Sequence, residues 1–359
     1  MKPLTKARPK TRVKKITISN NMGKYKTIAV IYGSDSSEWE VACRSGEFTA
    51  SRIDGDRYDV YEIFARFGKW QLVACKKKDA MRVPFPEGSR PEVDKTDFSI
   101  TVLGEKVRFD YVYIMQHGAP GESGQLQGYL EMLGIPFSTC SSAVSAIAFD
   151  KYACKSYIRD LGIVKCAPDA LVHKGADLEA FSSQVAASLK FPVFVKPTIG
   201  GSSFGVTMVK DPADVATAVG YAFSEGPTVL VEQGITGREF TCAAYRTSGK
   251  VHTLPIIEII TENEYFDYDA KYNGHSREVC PAEASEDIVK LVQATTARIY
   301  ENLDCSGLVR MDYIFSEDGL YFLEVNTIPG MTSASLVPKM VRAAGLDITD
   351  FLTDIIENG

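Results

Sequence analysis

The chain has 359 residues, 45% of them hydrophobic and 24% charged, with a formal net charge of −6, which suits two or three domains with sizeable cores and excludes a fibrous or disordered chain. No apolar run approaches the roughly 20 residues of a membrane helix, and the N-terminus lacks the apolar core of a secretory signal, so a cytoplasmic location is expected. The eight cysteines contain no CxxC pair, which argues against a zinc knuckle or a disulfide framework.

Lys2, Lys6, Arg8, Lys10, Arg12, Lys14 and Lys15 crowd a tail, residues 1–24, that holds no acid. It reads as a disordered basic arm or as the product of a start placed too far upstream. The body that follows is acidic, which disfavours nucleic acid as a partner.

From Lys26, KTIAVIYGS reads as a buried strand ending in a Gly turn, and SSEWEVACRSGEFTASRI as a helix behind a serine N-cap. Ligands of open α/β sheets collect at the carboxyl ends of strands, where Glu38 falls; alone, it is equally a helix-dipole partner. Residues 68–108 carry strand and turn signals. FDYVYIMQHG is a second buried strand, ending at His117 and Gly118. The next stretch, GAPGESGQLQG, has four glycines in eleven residues, which suits backbone brought against a ligand with His117 and Glu122 taking part, or a mobile surface loop.

After a break near Pro136 and Ser141, AVSAIAFDKYACKSYIRDLG predicts one amphipathic helix closed by Gly162. A helix over 177–189 and the strand FPVFVKP lead to TIGGSSFG and a further strand, VTMV. Gly200, Gly201 and Gly205 with Ser202 and Ser203 form a glycine-rich hairpin whose N–H groups can wrap phosphate, with Lys196 supplying charge. The sequence has no GK[ST] loop and no GxGxxG, which disfavours the common nucleotide folds. PTVLVEQGITGREFTCAAYR predicts two strands joined through Glu232, Gln233 and Ile235, an edge that can read adenine, or merely surface acids. EYFDYDAKYNGHSREVC has the irregular aromatic and charged make-up of a lid, with Lys271 and Tyr272 its most chemical residues.

GLVRMDYIFSEDGLYFLEVN predicts a hairpin with a three-residue loop at Glu317, Asp318 and Gly319. With Ser316 opposite Leu320, Asp312 faces Glu324 and Arg310 faces Asn326, all on one side of the sheet. Val309, Met311, Tyr313, Phe315, Tyr321, Leu323 and Val325 form the core side. Two carboxylates opposed across a ladder repel, and a hard divalent ion on Asp312, Glu324 and Asn326 relieves them; a solvated face is the plainer alternative. Arg310 suits a phosphoryl group or an oxyanion. NTIPGMTSASLVPKMVRAAG then enters a helix with Ser335 near its cap, where free N–H groups can grip an anion.

SSEWEV, HGAPGESGQLQGYLEMLGIPF, VKPTIGGSSFGV, VLVEQGITGREFT, FDYDAKY, RMDYIF and LEVNTIPGMTSASLVP, in that order, resemble the D-alanine:D-alanine ligases of the ATP-grasp superfamily over nearly all of residues 25–357. The resemblance implies an α/β, three-domain ATP-grasp fold: an N-terminal Rossmann-like domain over 25–139, a central ATP-grasp domain over 140–232 and a C-terminal ATP-grasp domain over 233–359. It implies ATP and two Mg2+ ions, with Mn2+ as a substitute, D-alanine as substrate, and a homodimer serving peptidoglycan synthesis. ATP phosphorylates one D-alanine, and the amine of a second attacks the acyl phosphate.

By the same resemblance Lys151 and Lys196 hold nucleotide phosphates, Glu232, Gln233 and Ile235 the adenine, and Glu239 the ribose. Ser203 belongs to the glycine-rich phosphate loop, and Lys271 meets the transferred phosphate. Asp312, Glu324 and Asn326 match the metal ligands, and Arg310 with the Gly330 amide the oxyanion grip. Glu38 holds the first substrate's ammonium with His117 near it. Ser202 and Tyr272 complete a lid-closing triad with Glu38, and Ser335 with the Leu336 amide takes the second carboxylate. Ser34, Ala42 and Ser123 depart from the family pattern on the first-substrate side. Rival readings are a ligase that takes D-serine or D-lactate second, and an ATP-binding paralogue with weakened catalysis; Tyr272 favours an amine.

Overall fold

The computed structural model describes residues 23–201, 204–261 and 276–359. The expectations placed on residues 1–22, Ser202, Ser203, Lys271 and Tyr272 lie outside them.

The chain begins with β1 (Thr27–Tyr32), α1 (Trp39–Arg52), β2 (Asp59–Arg66), β3 (Lys69–Lys76) and β4 (Val83–Pro84). A small antiparallel sheet of β5 (Val93–Asp94), β6 (Ser99–Val102) and β7 (Glu105–Val107) precedes β8 (Tyr111–Met115) and α2 (Gln125–Leu133). The first large sheet has the order β4-β3-β2-β1-β8, with β1 parallel to both neighbours. The loops after β1 and β8 therefore leave side by side at a switch point, joined where the Asp35 N–H donates to Ala119 O at 3.0 Å. The expected serine N-cap of α1 is absent from that position: Glu38 occupies it, and the Ser36 hydroxyl accepts the Glu38 N–H at 3.2 Å.

The single helix expected over 143–162 is two, α3 (Ser142–Phe149) and α4 (Lys151–Leu161). Asp150 breaks it: its backbone is extended, and its carboxylate caps α4 by accepting from Tyr152 N and Ala153 N, both at 3.0 Å. Gly162 closes α4 in the left-handed conformation at φ 61°, as expected.

Then come β9 (Lys165–Cys166), β10 (Asp169–His173), α5 (Leu178–Ser188), β11 (Val193–Pro197), β12 (Thr207–Val209), α6 (Val215–Ala222) and β13 (Thr228–Gln233). The second sheet, β10-β13-β11-β12, is antiparallel and buries its own core of Val193, Val195, Val229 and Val231 under α5 and α6.

The third sheet runs β17 (Ser276–Val279), β16 (Ile257–Thr261), β14 (Arg238–Thr247), β18 (Leu308–Ser316), β19 (Gly319–Asn326), β9, with β15 (Lys250–Thr253) also on β14. It is covered by α7 (Glu286–Asn302) and by α3 and α4, whose Ala148, Cys154 and Ile158 share a core with Phe240, Met311 and Phe322. The chain closes with α8 (Leu336–Ala343) and α9 (Ile348–Asn358), and their Val337, Met340, Phe351 and Ile355 enter the same core as Ile28, Val30 and Tyr111 of the first sheet.

The hairpin β18–β19 differs from expectation in a way that cancels. Ser316 pairs with Gly319, not Leu320, so the loop has two residues, Glu317 and Asp318. A bulge at Leu323 then restores the count, and Asp312 faces Glu324 and Arg310 faces Asn326 as the pattern requires. Between loop and bulge the faces are exchanged. Leu320 and Phe322 are core, whereas Tyr321 donates its hydroxyl to Asp318 at 2.8 Å and Leu323 lines the cleft.

Candidate active site

A cavity of about 550 Å3 opens where the three large sheets meet. It gathers every expected site residue among the described ones: Glu38, His117, Lys151, Lys196, Glu232, Gln233, Ile235, Glu239, Arg310, Asp312, Glu324, Asn326, Gly330, Ser335 and Leu336 all line it. Each comes from an element end or a sheet face already described. Glu38 sits at the switch point, and the β11–β12 loop closes on it so tightly that a Cβ on Gly201 would lie 2.3 Å from Glu38 Oε2.

On the β11 and β13 side, Glu232 is 4% exposed and paired with both Lys196 and Lys155. Burial opposes its charge, but the two ammonium groups hold its carboxyl down to about 2. Lys155 is 0% exposed and was missed by sequence reasoning; its place four residues after Lys151 and three before buried Ile158 was the available signal. Lys151 reaches into the glycine loop, donating from Nζ to Gly200 O at 2.6 Å.

On the β18–β19 side, Asp312 accepts a two-point grip from Arg310, Nε and one Nη each at 2.9 Å. It also accepts from Thr241 Oγ1 at 2.5 Å and from Asn326 Nδ2 at 3.1 Å. Thr241 was another omission, legible only once β14 is known to lie against β18 with Thr241 opposite Asp312. Burial works against the Arg310 charge, but Asp312, with Glu324 and Glu122, outweighs it and raises the guanidinium pKa further. The donors that face the cleft here are all oxygen-bearing, two carboxylates and a carboxamide, which suits a hard divalent ion that keeps places for phosphate oxygens.

The corner around Glu38 and His117 is more bound up than the sequence suggests. His117 Nδ1 donates to Ile328 O at 2.9 Å, and its Nε2 meets Ser45 Oγ at 3.1 Å. Burial pushes its pKa down. Glu122 accepts from Gly118 N at 2.8 Å, and burial, then Glu38, raise its carboxyl to about 7. Ser335 occupies the N-cap position of α8 without capping it; its Oγ accepts from Thr332 N at 3.0 Å instead. Of the three departures, Ser34 and Ala42 are fully buried, and the Ser34 and Ser36 hydroxyls meet at 2.9 Å. The Ser123 hydroxyl donates to the Gln125 side chain.

An antiparallel sheet with a glycine-rich loop, facing a second sheet with an oxygen-donor hairpin across one cleft, defines the ATP-grasp class of ligases. Residues 27–140 match the D-ala D-ala ligase N-terminus and residues 158–357 the D-ala D-ala ligase C-terminus. D-alanine--D-alanine ligase of Phocaeicola vulgatus is 45% identical over 334 residues, 93% of this chain and 99% of its own. That of Porphyromonas gingivalis W83 is 40% identical over 333, covering 92% and 97%. Among solved structures, VanG D-Ala:D-Ser ligase from Enterococcus faecalis superposes with a TM-score of 0.81 at 29% identity, covering 93% of this chain and 99% of that one. D-alanine--D-alanine ligase from Bacillus anthracis complexed with ATP does so at 0.70 and 28%, covering 93% and 97%. The chain belongs to the D-alanine--D-alanine ligase family.

Proposed function

We propose that this chain joins two D-alanines into D-alanyl-D-alanine at the expense of ATP, for peptidoglycan precursor synthesis. The observation that carries the reading is the convergence of phosphate, oxyanion and metal groups from three sheets on one cavity. Lys151 and Lys196 take the nucleotide phosphates, the 232–235 edge takes adenine, and Glu239 takes the ribose. Asp312, Glu324 and Asn326 would hold Mg2+, which when bound would supply positive charge against the phosphate oxygens. Glu38 orients the first substrate through its ammonium. Arg310, already fixed by Asp312, and the Gly330 amide face the oxygen that turns negative when the second amine attacks the acyl phosphate. Ser335 and the Leu336 amide hold the second carboxylate, and Ser202, Ser203, Lys271 and Tyr272 complete the phosphate loop and the lid. Enclosure protects the acyl phosphate from water.

The division into 25–139, 140–232 and 233–359 belongs to the same proposal, with 142–166 packing on the third sheet. So do a homodimer and a cytoplasmic location; no described helix is long and apolar enough to cross a membrane. The VanG likeness supports D-serine as a second reading. Phosphate release from Mg-ATP, with D-alanine, D-serine and D-lactate offered singly and in pairs and the products weighed by mass spectrometry, decides. D-Ala-D-Ala as the main product is expected. A mixed product from every D-alanine and D-serine mixture would favour the second reading, and no product would sink both.

A further inference from the structure

The segment Ile328–Met331 leaves the β18–β19 hairpin and carries the Gly330 amide, and side chains from the first sheet's unit hold its backbone at two points, with Glu122 close to a third. The Ile328 carbonyl accepts from His117 Nδ1 at 2.9 Å, which assigns the ring hydrogen to that nitrogen. His117 Nε2 therefore accepts, and the hydroxyl that donates to it is Ser45 Oγ at 3.1 Å. Ser45 Oγ in turn accepts from Met331 N at 3.3 Å. The Glu122 carboxyl accepts from Gly118 N at 2.8 Å, and the nearby Ile328 N–H favours its charged form. The carbonyl of Ile328 and the amide of Met331 are thus gripped. Pro329 and Gly330 lie between them, and Pro329 narrows the backbone further by fixing its own φ.

The geometry points to Ser45, His117 and Glu122 as positioning residues that clamp residues 328–331 and so aim the Gly330 amide at the reacting oxygen. The inference rests on the oxyanion role given to Gly330 above. It also changes the part expected of His117: both ring nitrogens are engaged within the protein, so His117 serves the reaction through the backbone it holds and not as a ligand of the first substrate. Ser45 is 0% exposed and does not line the cavity, so it cannot touch a substrate, which makes it the cleanest probe.

Two variants on different elements, Ser45→Ala on α1 and Glu122→Gln in the loop after β8, separate the possibilities. Hydrogen–deuterium exchange of a peptide spanning 325–333 should run about tenfold faster in each, because a clamp removed opens those amides locally. Turnover should fall about tenfold in each, with KM for either amino acid within about twofold, the mark of a displaced transition-state donor. Unchanged exchange in both variants would overturn the clamp. Faster exchange with unchanged turnover would overturn its positioning role. A rise in first-substrate KM for His117→Ala alone, with Ser45→Ala indistinguishable from the parent, would return His117 to the substrate and also overturn it. A parent protein inert with every D-amino acid pair defeats the ligase reading, and the exchange measurement still decides the clamp.

Discussion

Lys155 carries its charge where water does not reach, and Glu232 is the group that makes this tolerable. Lys155→Met should leave Glu232 with Lys196 alone, lowering unfolding stability by about 3 kcal/mol in urea and weakening ATP binding as Lys196 is held back from phosphate. An unchanged denaturation midpoint would count against the pairing. Glu324→Gln should cut phosphate release by at least about 100-fold with the melting temperature within a few degrees, since it alters a formed site and not the core. Protonation offers a third test. The Glu122 carboxyl titrates near 7 in the fold against 4.5 ordinarily, so its protonated form is preferred by the native state. That contribution is complete below about pH 4.5 and lost as pH rises through 7, on the order of 2 kcal/mol for a group partly open to the cleft. Urea midpoints at pH 5, 6 and 7 should fall with that slope in the parent and lose it in Glu122→Gln. At this scale Asp312, Glu324 and Asn326 were legible as one face although alternation is not strict between them, because the bulge at Leu323 offsets the shorter loop. Lys155 was not, because lysine on a helix ordinarily marks the wet face, and only the position of its partner on β13 overrides that.

Among elements, the hairpin β18–β19 shows how a local signal can be right for a partly wrong reason. SEDG admits a two- or a three-residue loop, and the choice is made by which side chains pack: Leu320 and Phe322 fill the core beside Met311 and Tyr313. The bulge at Leu323 then returns Glu324 and Asn326 to the cleft face. Deleting Leu323 should remove the extra residue and leave Phe322 opposite Tyr313 and Glu324 opposite Asp312 in a regular ladder, so both cleft residues keep their face and turnover should persist. Loss of turnover in a folded variant would mean that the bulge itself, and not the register alone, is required. The break at Asp150 was hidden for a related reason, since apolar periodicity runs on across it and only the cap geometry shows that a new helix starts at Lys151. Replacing Asp150 with Ala should cost about 1 kcal/mol and raise the KM for ATP, because Lys151 is the first residue that the cap orients.

For the whole molecule, order of elements was readable and mutual packing was not. Strand and helix signals separate the sheets along the chain, yet nothing local says that α3 and α4 lie on the third sheet, or that α8 and α9 finish the core of the first. Such contacts span most of the sequence, as where Tyr58 donates to Glu357 at 2.6 Å. Synthesis, however, runs one way. When a ribosome has released the strands around Ile28 and Tyr111, the apolar side chains from Val337 to Ile356 that complete the same core have not yet been translated. The opening part of the chain must therefore wait with an uncovered greasy surface for most of its own manufacture, attractive to chaperones throughout. A message broken off shortly before codon 337 would yield a product that keeps this surface exposed, one that proteases can tell from finished enzyme without consulting the cleft.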